Sequence, residues 1–92
     1  MHHQYDLLVR KNVANRLLQS GDLDGADEVL AAAEERHEAD CDLHVLLGQL
    51  QANRGLLESA EILFRGALRL DADDAIAHFE LAKVLEQKAD YV

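Results

Sequence analysis

His37, Cys41 and His44 form an H-x3-C-x2-H run flanked by Asp40 and Asp42. On one unbroken helix the three would share a face, and imidazole with thiolate is a donor set suited to zinc. Cys41 is also a candidate nucleophile if it opens a helix, because a helix N-terminus favours the thiolate. The carboxylates of Asp40 and Asp42 on either side oppose that. His2 and His3 could chelate Cu(II) or Ni(II) through a free amine and backbone nitrogens, although a tag remnant or frayed end is the plainer reading. The other reactive residues form no constellation. Ser20 and Ser59 have no histidine close in sequence, and the carboxylates recur at helical spacing without a pair that stands apart as an acid/base couple. The glycines never form a phosphate loop. No catalytic residue, cofactor or metal is expected.

The elements that carry these residues read as helices. Ala and Leu dominate, Pro and Trp are absent, and aromatics make up 4% of the 92 residues. Such a composition favours helix and disfavours strand. An all-α chain forming a single domain over residues 1–92 is expected. Hydrophobic residues at 49% and charged residues at 29% suit a soluble fold. The net charge is −9, yet residues 1–20 carry Arg10, Lys11 and Arg16 against Asp6 alone. The acidic remainder repels phosphate backbones and anionic lipids, so neither nucleic acid nor membrane is an expected partner. One cysteine excludes an internal disulfide and fits a reducing compartment. No apolar run approaches membrane-spanning length, and MHHQYDLLVRKNV lacks the core of a signal peptide. A cytoplasmic location is expected.

Shifted by 34 residues, the sequence falls onto itself. GDLDGADEVLAAA at 21–33 lies over GLLESAEILFRGA at 55–67. Gly21 meets Gly55, Leu23 meets Leu57, Ala26 meets Ala60, Ala33 meets Ala67, and Asp40 meets Asp74. Repeat one spans 7–40, repeat two spans 41–74, and 75–92 holds the first helix of an incomplete third. Within repeat two, Leu43, Leu46, Leu47 and Leu50 recur at helical spacing, Gly55 interrupts, and Leu57, Ala60, Leu63, Phe64, Ala67 and Leu68 form a second apolar stripe. Asp40 and Asp74 are predicted N-caps, and Gly21 and Gly55 predicted helix stops.

A 34-residue period enclosing helix–turn–helix resembles the tetratricopeptide repeat. The second copy matches best, with His44, Leu47-Gly48, Gln51, Ala60, Phe64, Ala67 and Ala72 at the family's marked positions. The first offers Arg10, Val13-Ala14, Leu17, Ala26, Leu30, Ala33 and Glu38, and the third His78, Leu81-Ala82 and Leu85. The resemblance implies antiparallel hairpins stacked as a short right-handed solenoid, with the first helix of each hairpin lining a concave face that grips a partner protein or peptide. It places Leu8, Lys11, Asn12, Asn15 and Gln19 from copy one on that face, with Asp42, Val45, Leu46, Gln49 and Asn53 from copy two. Copy three adds Ile76, Phe79, Glu80, Lys83 and Gln87. The amides would pair with a peptide backbone, and Phe79 and Leu46 would anchor its side chains. The repeat frame also breaks the His37–Cys41–His44 face at an inter-hairpin turn near 37–40. It puts His44 and His78 in one packing slot facing the preceding helix.

One subfamily clamps acidic chaperone tails. Lys11 and Asn15 match two clamp positions, but Leu46, Ile76 and Glu80 depart from the rest, and Glu80 would repel a carboxylate. The incomplete third copy implies a second role. The apolar face of its helix, with Leu81, Val84 and Leu85, would be open, which fits either a piece of a longer repeat protein or, as the alternative to an adaptor, a self-associating scaffold that forms a homodimer through this end.

Overall fold

Asp22, Asp40 and Asp74 each stand three residues ahead of a backbone N–H that no intrahelical carbonyl can reach. Their carboxylates accept from the amides of Gly25, Leu43 and Ala77 at 2.9, 3.0 and 2.9 Å. Each therefore starts a helix. The computed structural model describes residues 3–37 and 40–90, and among them the chain is all-α. Helix α1 runs His3–Ser20, α2 Leu23–Arg36, α3 Cys41–Asn53, α4 Leu57–Leu70 and α5 Ala75–Ala89. Asp22 opens α2, Asp40 opens α3 and Asp74 opens α5. The position equivalent to Asp22 is Leu56, which has no acceptor, so α4 starts without a side-chain cap.

Gly21 and Gly55 end α1 and α3 with φ of 85° and 81°, a region that costs an L side chain energy and glycine little. The reversal lets the next amide reach back five residues, from Asp22 to the Leu17 carbonyl at 2.9 Å and from Leu56 to the Gln51 carbonyl at 2.9 Å. Both turns thus satisfy carbonyls that a helix end leaves orphaned. The same chemistry at the same spacing makes two equivalent helical hairpins, α1–α2 and α3–α4.

The core has two parts. Ala14, Leu18, Ala26, Leu30, Ala33 and the Leu43–Leu50 stripe of α3 fill the space among α1, α2 and α3. Val45, Ala60, Phe64, Ala67, Ala77, Leu81 and Val84 fill that among α3, α4 and α5. Alanines without exposed area mark the closest approaches between helices. At Gly48 the approach is closer still, since a Cβ there would lie 2.5 Å from the Phe64 ring. Helix α3 packs on all four others, α1 on α2 and α3, and α5 on α3 and α4. The helices α1, α3 and α5 therefore form a contiguous row, with α2 and α4 behind it. The whole measures 48 × 28 × 18 Å.

Two expectations need correction. Leu81 and Val84 do not form an open face, because α4 covers them, leaving 9% and 2% exposed. Their equivalents one repeat earlier, Leu47 and Leu50, are covered by α2 in the same way. Only Leu85 of the three remains substantially exposed. The apolar end without a covering helix among the described residues lies instead on α1, where Tyr5, Val9 and Val13 recur at i, i+4 and i+8 and are exposed. Nor do His44 and His78 share a slot. The His44 ring lies against Gly66 of the following helix, whereas His78 is exposed, with Nε2 2.7 Å from the Ala72 carbonyl.

Candidate functional site

Equivalent faces of α1, α3 and α5 line a groove made of two adjoining cavities that share Asn15 and Gln49. The first, of about 250 Å³, is lined by Leu8, Lys11, Asn12 and Asn15 from α1, by Asp42, Val45, Leu46 and Gln49 from α3, and by Asp74 and Ile76 at the start of α5. The second, of about 280 Å³, is lined by Asn15, Leu18 and Gln19, by Gln49, Ala52 and Asn53, and by Glu80, Lys83, Val84 and Gln87. Helical spacing explains the grouping, since residues three or four apart share a face. The 34-residue period explains the rows. Leu8, Asp42 and Ile76 are one repeat apart, as are Asn15, Gln49 and Lys83, and Gln19, Asn53 and Gln87.

The two cavities bring together every residue expected on the concave face except Phe79. The Phe79 ring is 63% exposed and lies outside both, with the Lys83 ammonium 5.2 Å from its centroid. It is not a groove anchor. Leu46 is a weak anchor too, for it and Val45 are buried in the two halves of the core and show the cavity only a floor. Apolar area for a ligand comes from Leu8 and Ile76, 52% and 58% exposed. Asp74, Leu18, Ala52 and Val84 were not anticipated. Asp74 was identifiable as a cap, and a cap on α5 necessarily sits at the row's end.

The cavities differ in chemistry. The second carries the carboxamides of Asn15, Gln19, Gln49, Asn53 and Gln87, each able to donate and accept. Its charges, Glu80 and Lys83, pair with each other at 3.4 Å. The first carries the apolar walls and an acidic mouth. There the Lys11 Nζ lies 3.1 Å from Asp40 and 3.4 Å from Asp42. Burial by itself would lower the Lys11 pKa, but the hydrogen bond and charge of Asp40, with Asp42 adding, outweigh it and hold the ammonium above its ordinary value. Asp74 sits below the ordinary carboxylate range, chiefly because the Ala77 amide donates to it.

Cys41 lies beside this mouth. Its Sγ donates to Asp74 at 3.4 Å, and burial first, then Asp74, push its pKa up to about 12. The thiol is held protonated and is a poor nucleophile. The opposing carboxylate is mainly Asp74, rather than the sequence neighbours Asp40 and Asp42. The sulfur and the carboxylates of Asp71 and Asp74 lie within 4.8 Å of one another, one soft donor beside two hard oxygen donors. The zinc-like trio does not converge. His37 Nε2 pairs with Asp6 at 2.8 Å, and His44 Nδ1 contacts the Asp40 carbonyl at 3.1 Å. His2 and the side chain of His3 lie outside the described residues. Among the described residues no helix is long and apolar enough to cross a membrane.

No protein-family model, curated protein or solved structure matches this chain.

Proposed function

We propose that this chain is a protein–protein interaction module, a short tetratricopeptide-type right-handed solenoid that holds a partner peptide or helix in the α1–α3–α5 groove. The observation that carries this reading is the convergence of repeat-equivalent residues. The rows Leu8–Asp42–Ile76, Asn15–Gln49–Lys83 and Gln19–Asn53–Gln87 line one continuous groove. A run of amides beside an apolar pocket suits an extended chain, because backbone amides and carbonyls need both donors and acceptors while side chains need apolar contact. The net charge of −9 argues against nucleic acid. In the same reading the chain works in the cytoplasm as an adaptor, where its single thiol stays reduced.

The test is selection of nonapeptides from a displayed random library against the full chain, followed by mapping of the binders' footprint from amide chemical shifts. The reading expects shifts concentrated on Asn15, Gln49 and Asn53, and loss of binding in Asn15→Ala/Gln49→Ala. A library that yields no binder, or a footprint away from the groove, would refute it.

Self-association is a second reading, favoured by the exposure of Phe79 and Leu85 on α5. Light scattering over a hundredfold concentration range tests it. A dimer that Leu85→Glu dissociates supports a scaffold role, and a monomer at all concentrations removes it. Leu81 is unsuited to this test, because a charge at that buried position would unfold the helix.

A further inference from the structure

The groove's charge is one-sided, and the side it occupies is where its apolar pocket opens. Asp42 and Asp74 are lining residues of the apolar cavity. Asp40 stands behind Lys11, and the carboxylate of Asp71 lies within 4.8 Å of the Asp74 carboxylate and the Cys41 sulfur. Among the described residues the only Lys or Arg lining this cavity is Lys11, and its ammonium is engaged by Asp40 and Asp42 together. One cation facing two carboxylates leaves an uncompensated negative charge, and Asp74, which accepts from the Ala77 amide and the Cys41 thiol, adds another. The N-termini of α3 and α5 point the other way, but each contributes roughly half a positive charge, less than the full charge of the aspartate that caps it. The net field at this mouth is therefore negative. The amide-lined cavity has no such bias, since Glu80 and Lys83 neutralise each other.

Resting on the groove reading above, we propose that the occupant is a cationic peptide segment, with a Lys, an Arg or an amino terminus held between Asp42 and Asp74 next to a large apolar side chain seated between Leu8 and Ile76. The polar stretch of the peptide then runs over the Asn15, Gln49 and Asn53 amides. Leu8, Ile76, Asp42 and Asp74 all line this one cavity, so an apolar side chain and a neighbouring cation of the same peptide can be held there together. An acidic segment is disfavoured by the aspartates at one end, and the neutralised Glu80–Lys83 pair at the other offers it no compensating cation. Charge complementarity of this kind sets specificity and encounter rate more than total affinity, so the preference shows most clearly as discrimination between matched peptides.

The experiment uses the groove-binding nonapeptides selected as above. Lys or Arg is expected adjacent to Leu, Ile, Met or Phe in the selected set. Replacing that cation by Glu in the tightest binder should weaken binding about tenfold or more at low salt, and the difference should shrink at high salt. Asp42 is the safest residue to change, because 69% of its side chain is exposed. In Asp42→Lys the preference for cation over anion should vanish, and in Asp42→Asn it should fall by a smaller factor, with circular dichroism verifying the fold. Groove binders that are neutral or acidic, or a preference that both Asp42 variants leave intact, would overturn the charge assignment while the groove reading stood. Absence of any groove binder would overturn both.

Discussion

Gly48→Ala sets two effects of known size against each other. Gly48 lies inside α3, where alanine in place of glycine favours the helix by about 0.8–1.0 kcal/mol. Against that stands the Phe64 ring of α4. A Cβ at position 48 would fall 2.5, 2.7 and 2.9 Å from three of its carbons, so the ring must retreat by about 1 Å to reach ordinary contact. Phe64 has no exposed area and is enclosed by the packed residues of the α3–α4–α5 core, so it has nowhere to turn. Overpacking a tight core costs about 1–3 kcal/mol, and three simultaneous contacts on a caged ring belong at the upper end. The expected net effect is destabilisation by about 2 kcal/mol, a fall in Tm of about 8–16 °C for a chain of this size. Urea unfolding followed at 222 nm measures it, with Gly48→Ala/Phe64→Leu as the companion variant, which should recover part of the loss. Gly66→Ala is the contrast. Its Cβ would meet the edge of the half-buried His44 ring at 2.9 Å, a side chain that can give way, so its cost should be the smaller. A Gly48→Ala protein as stable as the parent, or more so, would refute the close approach of α3 to Phe64.

Leu56→Asp supplies α4 with the acceptor that Asp22 supplies to α2. Leu56 is half exposed, so little burial is lost, and a gain of about 0.5–1 kcal/mol is expected from the urea midpoint; no gain would place the start of α4 elsewhere. Stability should fall in acid. Glu61, through its hydrogen bonds with Lys88 and Arg65, and Asp74, through the Ala77 amide, both titrate below their ordinary values. Each contribution is complete above the ordinary carboxylate range and is lost as pH drops through the lowered folded value. The urea midpoint should therefore decline between pH 5 and 2 and Glu61→Gln should flatten the decline, whereas a midpoint independent of pH would refute these pairings. Cys41, its pKa pushed up to about 12, should react with a disulfide reagent at pH 8 roughly tenfold or more slower than an ordinary thiol, because its small thiolate fraction is only partly offset by the greater nucleophilicity of a high-pKa thiolate. Asp74→Asn keeps the cap and removes the opposing charge, so it should speed the reaction; native labelling at the free-thiol rate would contradict the Cys41–Asp74 contact.

Much of the groove is legible in the sequence because the repeat carries geometry with it. Once Gly21 and Gly55 define equivalent turns, residues 34 apart occupy equivalent places, and Asn15, Gln49 and Lys83 fall into one row without any knowledge of contacts. Equivalence fails where a neighbour is missing. Lys11, Val45 and Phe79 are one repeat apart, yet Lys11 faces α3 and Val45 faces α5, while no helix among the described residues lies beyond α5 to give Phe79 an opposing wall. The same reasoning explains Val13, exposed on α1, and Leu47 and Leu81, buried against α2 and α4.

Local chemistry is what the sequence by itself determined. Aspartate at the start, glycine at the stop and apolar spacing between them act within a few residues, and they define five helices and two like hairpins. Tertiary structure alone decided which carboxylate faces which group. Asp74 rather than Asp42 is the carboxylate that reaches the Cys41 thiol, Asp6 receives His37, and Lys11 is drawn to Asp40 across 29 residues. Those pairings depend on how helices far apart in sequence are set side by side, and charge acts through space over distances that sequence spacing does not measure.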